Sequence, residues 1–378
     1  MIPSLAANEI INRLEAASFD AFAVGGAVRD ILIGRVPNDF DVATSAKTDE
    51  IKRILSDKVV IPTGEKHGTV TVICGEEHIE VTTFRIDGQY SDARHPSGVT
   101  FVGSIFEDLS RRDFTINAIA YNDRLGIVDP FDGVGDIKRR VVRAVGVPQK
   151  RFSEDALRIL RCIRFASVLG FGIDGDTDEA LRECFPLLES ISAERIFIEL
   201  KLFLMGDFRW ILESHQYIFK FLFPNWVLPA APFPKDGGDI STRLSYFFSE
   251  IDLDSANAYL HSLRSDNATK KEVLSVLAAL KYQVINSRRD ALYFLSEYGY
   301  DTVMRALVLR GHEGESDIVK SVLGCCYTLD ELQINGNDLI KLGYSGIEIR
   351  KVKKRLLHAV IDGVVSNEKE ALLKFLAQ

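Results

Sequence analysis

The sequence predicts an α+β protein, a head of mixed strands and helices followed by an all-helical remainder. Three observations carry this. Up to about Gly146, short β-rich runs alternate with helical segments. Beyond Lys150 nearly everything has helical period, broken only by turn-rich stretches such as LGFGIDGDTD, PNWVLPAAPFPKDGGD and INGNDL. At 378 residues with 46% hydrophobic content, the chain also exceeds the usual size of one domain.

The opening stretch MIPSLAANEIINRLEAA reads as an amphipathic helix rather than a secretory leader, and no apolar run approaches a membrane span. AFAV, ending at Val24, reads as a strand. Gly25 and Gly26 then let the backbone approach a ligand closely, and AVRDILIG reads as a helix whose first N–H groups would face a phosphate, with Arg29 one turn inside. Asp39 and Asp41 follow in NDFDVAT. In an extended strand they project to one face while Phe40 packs on the other. Two convergent carboxylates can hold Mg²⁺, the hard cation that neutralises a triphosphate and activates a hydroxyl in nucleotidyl transfer. An isolated acid pair is more often a solvated loop, but strand, Gly-Gly, helix and acid pair in succession point to nucleotide chemistry. The pattern is neither the dinucleotide fingerprint nor the P-loop.

VVIPT, GTVTVICG, HIEVTTFRI, VTFVGSI and GIVDPFD supply further strands. Alternation in HIEVTTF sets Glu80, Thr82 and Phe84 on one face, so a strand beside the acid pair could bring Glu80 to it as a third carboxylate. RIDGQYSDARHPSGVTF, punctuated by Gly, Asp and Pro, reads as a loop. In RRDFTINAIAYN, read as helical, Asp113 and Asn117 are an i, i+4 pair beside Arg111 and Arg112. Arginines suit phosphate, and Asp with Asn suit sugar hydroxyls.

The formal net charge of −8 argues against a strongly basic nucleic-acid binder, yet local clusters are basic: Lys138-Arg139-Arg140, Arg158-Arg161-Arg164 and Lys351-Lys353-Lys354 among them. Most such runs are solvated helix faces; an acidic protein with basic stripes still binds RNA with salt-sensitive affinity. Five cysteines, odd in number and without metal-ligand spacing, indicate a reducing compartment, so the expectation is a cytoplasmic protein.

Taken in order, GGAVRDILIGRVPNDFDVATSA, VTTFR, YSDARHP, EDLSRRDFTINAIAYN, VDPFDGVGDI, RFSEDALRILRCIRFA and ERIFIEL resemble the bacterial class II tRNA nucleotidyltransferases, the CCA-adding enzymes of the DNA polymerase β superfamily. The tail LDELQINGNDLIKLGYSGIEIRKVKKRLLHAVIDG is similar to that of the same family. The resemblance implies a nucleotidyltransferase head (1–146), a base-recognising neck (147–206), a body (207–322) and a tRNA-binding tail (323–378). It implies Mg²⁺ on Asp39 and Asp41, with Glu80 assisting, and Gly25, Gly26 and Arg29 around the triphosphate. Arg112, Asp113 and Asn117 would recognise the ribose, Asp155 and Arg158 the base, with Arg161 and Arg164 beside them and Glu194 and Arg195 bracing the template. Lys351, Lys353 and Lys354 would contact RNA. Substrates would be CTP, ATP and the tRNA 3′ end, with no obligate protein partner.

Read as i, i+3 neighbours on a helix, Asp155 and Arg158 offer an acceptor beside a fork of donors. That pair matches the edges of cytosine and adenine, whereas guanine and uracil would leave polar atoms unpaired at about 1–3 kcal/mol each. Alternatives remain at this level: addition of CC or A alone, poly(A) synthesis, or a non-catalytic RNA-binding scaffold. YSDARHP occupies the place of the loop that CC-only relatives shorten, the short basic C-terminus disfavours poly(A) polymerase, and no His-Asp pair marks an appended phosphohydrolase. Trp210, Phe219 and Phe223 read as packing residues.

Overall fold

The computed structural model describes residues 4–88, 99–234, 237–311 and 313–378; YSDARHP lies outside them. The chain packs as two compact units, Met1–Leu222 and Phe223–Gln378. The break falls inside the stretch 207–322 that the sequence reading treats as one body.

The first unit is built on β1 (Ala21–Val24), β2 (Asp41–Thr44), β3 (Val59–Gly64), β4 (Thr69–Cys74), β5 (Glu77–Thr83), β6 (Arg85–Asp87), β7 (Val99–Phe101), β8 (Ala120–Asn122) and β9 (Gly126–Val128). Seven of these form one sheet in the order β3-β4-β5-β2-β1-β8-β9, and β6 with β7 form a separate hairpin. The sheet is mixed: β2 and β5 run parallel, and the other pairs are antiparallel. The register places Asp41 opposite Glu80 and Val24 opposite Asp41, so the end of β1 and the start of β2 meet beside the middle of β5.

Helices α1 (Leu5–Ala16), α2 (Gly26–Leu32), α3 (Thr48–Ile54), α4 (Ile105–Ser110) and α5 (Gly133–Arg139) surround the sheet. α1 begins where the Ser4 hydroxyl accepts the Ala7 N–H (3.1 Å), and it buries Ala7, Ile10, Ile11 and Leu14 at helical spacing. A core of Phe22, Val24, Ala43, Phe84, Ile105 and Leu109 ties β1, β2 and α4 together. Phe84 is therefore buried and not on the cleft side with Glu80, because the chain leaves β5 after Thr83. RRDFTINAIAYN is likewise not one helix. A 3-10 turn (Thr115–Asn117) leads into β8, since Ala118, Ile119 and Ala120 are wholly buried beside β1.

β10 (Val141–Val142) and β11 (Gly172–Ile173) form a short parallel pair. Between and after them come α6 (Pro148–Glu154), α7 (Leu157–Leu169), α8 (Gly175–Cys184), α9 (Ala193–Leu204), α10 (Arg209–Ser214) and α11 (Gln216–Leu222). Pro148 opens α6, and Gly170, in the left-handed region at φ 64°, closes α7.

The second unit is helical: α12 (Ile240–Phe247), α13 (Leu253–Ser262), α14 (Asn267–Leu280), α15 (Arg288–Tyr298), α16 (Tyr300–Arg310), α17 (Glu313–Lys320), α18 (Gly336–Lys341), α19 (Ile347–Ile361) and α20 (Lys369–Leu376). Asp239, Asp252, Asp266, Ser287 and Asn335 cap five of these with side-chain oxygens. Its core includes Val276, Phe294, Val303, Leu339 and Leu356. Phe219 and Phe223 are buried packing residues, as read from the sequence, and Trp210 is half-buried. Among the described residues no helix is long and apolar enough to cross a membrane.

Candidate active site

A cavity of about 720 Å³ opens where β1, β2 and β5 meet, and α7 walls its other side. All the head and neck residues singled out as catalytic or nucleotide-binding line it: Gly25, Gly26, Arg29, Asp39, Asp41, Glu80, Arg112, Asp113, Asn117, Asp155, Arg158, Arg161 and Arg164. Lys351, Lys353 and Lys354 lie on α19 in the other unit.

The acid pair differs in one detail from the sequence expectation. β2 starts at Asp41, so Asp39 sits in the irregular segment before it rather than within the strand. Glu80 stands directly beside Asp41 in the parallel register, whose alternation points both side chains the same way. Asp41 reaches solvent within the cavity, but the surrounding walls remove much of its hydration. Its carboxyl is pushed up to about 6 by that burial and by Glu80 and Asp39, with Arg112 opposing. A carboxyl raised by neighbouring carboxylates in this way fits a divalent cation, which would relieve the repulsion. Among the described residues no group of three His, Cys, Asp or Glu side chains is already gathered at ligating distances. Mg²⁺ sites commonly complete their shell with water and substrate phosphate.

On one flank, β1 turns into α2 at Gly25, whose φ of +73° suits only glycine; a Cβ there would lie 2.8 Å from Nη1 of Arg112. The Arg112 guanidinium rests on that bare backbone. Arg29 donates from Nε and Nη2 to Asp30 (2.9 and 2.8 Å) and from Nη1 to Oδ1 of Asn117 (2.6 Å). Asn117 in turn donates to Oδ1 of Asp113 (3.1 Å), so the i, i+4 pair meets although the segment is no helix. Oδ1 of Asp113 also accepts the Phe114 N–H (2.8 Å), and Oδ2 accepts Nε of Arg161 (2.8 Å). Burial alone would raise the Asp113 carboxyl, but Arg161, the Asn117 and Arg161 hydrogen bonds and Arg158 hold it at about 2.

α7 supplies the opposite wall. Arg158, Arg161 and Arg164 recur at three-residue spacing along one stripe. Arg164 pairs with buried Glu199 of α9 (2.8 Å), and Arg29, Arg161 and Arg164 all lie over the Phe165 ring, at 5.1, 5.2 and 4.0 Å from its centroid.

SEDALRILR is not continuous helix. α6 ends at Glu154 and α7 starts at Leu157, with Asp155 extended between them (φ −144°, ψ 104°). Asp155 caps α7 through the Leu157 N–H (3.1 Å) and pairs with Arg195 (2.9 Å), not with Arg158. Arg158 donates to Glu154 (2.8 Å), to the Arg151 carbonyl (3.1 Å) and to the Arg111 carbonyl (3.2 Å). The two groups thus reach the cavity from separate scaffolds, each braced by its own partner.

The sequence reading missed Thr69, Thr82, Arg85 and Phe165 as cavity-lining groups, whereas Arg111, read beside Arg112 as suited to phosphate, does line the cavity. Arg111 and Arg85 carried a signal in RRDF and VTTFR; Phe165 carried none, since an aromatic at helical spacing reads as core.

Three family profiles match the chain: the poly A polymerase head domain over residues 21–143, the probable RNA- and SrmB-binding site of polymerase A over 170–226, and tRNA nucleotidyltransferase domain 2 over 239–376. A CCA-adding enzyme of Lactobacillus delbrueckii subsp. bulgaricus is 36% identical, over 97% of this chain and 96% of its own length. The chain belongs to the CCA-adding enzyme family. Another member, from Streptococcus pneumoniae, is 35% identical over 98% of this chain and 96% of its own. The crystal structure of the Bacillus stearothermophilus CCA-adding enzyme in complex with CTP superposes with a TM-score of 0.79 at 31% identity, covering 100% of this chain and 98% of that one. The Thermotoga maritima CCA-adding enzyme complexed with tRNA-CCA shares the fold (TM-score 0.71, 22% identity, 100% and 96% covered). The α+β head with a mostly helical remainder is thus the architecture of CCA-adding enzymes.

In the tail, Lys351 and Lys354 are exposed on α19, whereas Lys353 is mostly covered, its Nζ 3.9 Å from Asp330. The three lysines do not form one stripe, because positions 351 and 353 lie about 200° apart around a helix.

Proposed function

We propose that this chain adds CCA to the 3′ end of tRNA from CTP and ATP by Mg²⁺-dependent nucleotidyl transfer, in the cytoplasm. One observation carries the reading: a single cavity gathers the acid cluster, an arginine wall and the Asp155/Arg158 pair, so catalysis and base choice share one site.

In this reading Gly25, Gly26 and Arg29 border the triphosphate, Asp113 and Asn117 take the ribose hydroxyls, and Arg112, which the resemblance sets at the ribose, rests over Gly25 and so serves the triphosphate. Asp155 and Arg158 accept from and donate to the base edge, with Arg195 and Glu154 holding them apart in the right sense. Arg161 and Arg164 complete the wall. Asp39 and Asp41, with Glu80 assisting, would hold divalent metal, which when bound lowers the pKa of a hydroxyl and neutralises phosphate. The 3′-oxygen of the acceptor bonds to the α-phosphorus as the α–β bridge breaks, and pyrophosphate leaves. Residues 1–146 act as the head, 147–206 as the neck, 207–322 as the body and 323–378 as the tail, with exposed Lys351 and Lys354 on tRNA and Lys353 contributing less.

The test offers tRNA lacking all of CCA, ending after the first C, or ending after the second, each with single nucleotides and Mg²⁺. The expected products are two C additions and one A, with no UMP or GMP. CC or A alone would narrow the reading, a long A tail would replace it with poly(A) synthesis, and no extension would leave an RNA-binding scaffold.

A further inference from the structure

Asp108, on α4, is wholly buried, and no role in the reaction described above uses it. Its Oδ1 accepts Nε and Nη2 of Arg111 (3.0 and 2.8 Å) and the backbone N–H of Arg85 (3.3 Å), and its Oδ2 accepts Nη2 of Arg112 (3.2 Å). Burial would lift this carboxyl, but Arg112, Arg111 and the hydrogen bonds from Arg111 and Arg85 hold it below the ordinary range, so it stays charged. All three residues it tethers line the cavity.

A carboxylate with only a packing role could be satisfied by backbone donors. Asp108 instead takes the Nε–Nη2 edge of Arg111, which fixes that guanidinium plane, and one corner of Arg112, whose other end rests over Gly25. Among the described residues, Nε of Arg112 is buried with no acceptor. A buried donor left open beside a cavity awaits an acceptor from a ligand. Without the shared carboxylate, two adjacent guanidiniums would repel and regain rotamer freedom.

We propose that Asp108 is a positioning residue of the nucleotide site, orienting the Arg111 and Arg112 guanidiniums toward the phosphates of the incoming nucleotide. The inference rests on reading the cavity as the nucleoside triphosphate site. It assigns Asp108 to phosphate binding and not to base choice.

The experiment compares Asp108→Asn with wild type for binding of CTP, pyrophosphate and cytidine, and for steady-state kinetics. Losing one preorganised, charge-assisted contact should weaken CTP and pyrophosphate about tenfold and raise KM to match, with cytidine affinity, kcat and nucleotide choice within about twofold. In an Arg111→Ala, Arg112→Ala background, Asp108→Asn should add nothing. Unchanged pyrophosphate affinity in Asp108→Asn, where the arginine variants do lose it, overturns the proposal. If the arginine variants themselves bind CTP like wild type, the reading of the cavity fails instead. Should Asp108→Asn not fold, Arg111→Lys and Arg112→Lys keep charge but not the fork. Pyrophosphate affinity falling as far as in the alanine variants supports the orienting role, and retained affinity overturns it.

Discussion

Replacing Asp113 with Asn would test the network at the centre of the cavity with almost no change of shape. The carboxylate accepts from the Phe114 N–H, Asn117 and Arg161 at 2.6–3.1 Å. An amide oxygen can serve either the Phe114–Asn117 side or the Arg161 side, and its NH₂ then faces donors on the other. Holding the carboxyl at about 2 rather than 3.8 is worth roughly 2 kcal/mol at neutral pH. Opposing donors and the loosened Arg161, left with Glu199 at 3.9 Å and the Phe165 ring, bring the expected loss to about 3 kcal/mol, the lower end for a broken buried pair. The assay is urea unfolding of both proteins from pH 8 to pH 5. Because the folded-state pKa is depressed, its stabilising contribution is fully present above the unfolded value near 3.8 and lost only as pH falls toward 2. The gap between the two proteins should therefore be flat across the range. A gap below about 1 kcal/mol, or one that fades between pH 7 and pH 5, would refute the network as described. Arg161→Met should show strong non-additivity with Asp113→Asn.

Asp39→Ala or Asp41→Ala should abolish incorporation in primer extension while tRNA binding persists. Because the Asp41 carboxyl is raised to about 6, Mn²⁺ affinity measured by spin resonance should fall as pH drops through that value, and Glu80→Gln should move the midpoint lower. Arg195→Met releases Asp155 from its partner, so misincorporation of UMP or GMP in sequenced products should rise. Lys351→Ala with Lys354→Ala should weaken tRNA binding and flatten its salt dependence by roughly one counterion for each phosphate no longer neutralised, and Lys353→Ala alone should do less.

Local pattern made much of the site legible. Gly25-Gly26, the Asp39/Asp41 pair and RRDF are short-range signals whose chemistry survives whatever backbone carries them, and the cavity collects them all. What stayed hidden depends on contacts between distant segments. Asp155 looks like a helical neighbour of Arg158 because nothing nearby breaks the period; only Arg195, forty positions later, accounts for its extended backbone. AIAYN reads as helix because alanine favours it, yet pairing with β1 makes it a strand. Lys353 shows the converse case, a helix whose charge run suggested one face while its period splits the lysines between two.

The net charge of −8 is the feature that most misleads, and the cavity explains why. Asp30 faces Arg29, Asp108 faces Arg111 and Arg112, Asp113 faces Arg161, Glu154 faces Arg151 and Arg158, and Glu199 faces Arg164. A wall of guanidiniums can be packed this closely only if carboxylates sit behind it, so part of the acidic total belongs to the machinery that presents positive charge. Two effects then oppose each other when a backing carboxylate is neutralised. The long-range field becomes more positive, which would favour anionic ligands. The arginines lose their fixed orientation, which would disfavour them. At physiological salt the field is screened beyond about 8 Å, whereas orientation acts at contact, so orientation should win. Glu199→Gln removes one negative charge from behind the cavity and should nonetheless weaken CTP binding; tighter binding, growing as salt is lowered, would mean that the field governs and the buried carboxylates serve packing alone.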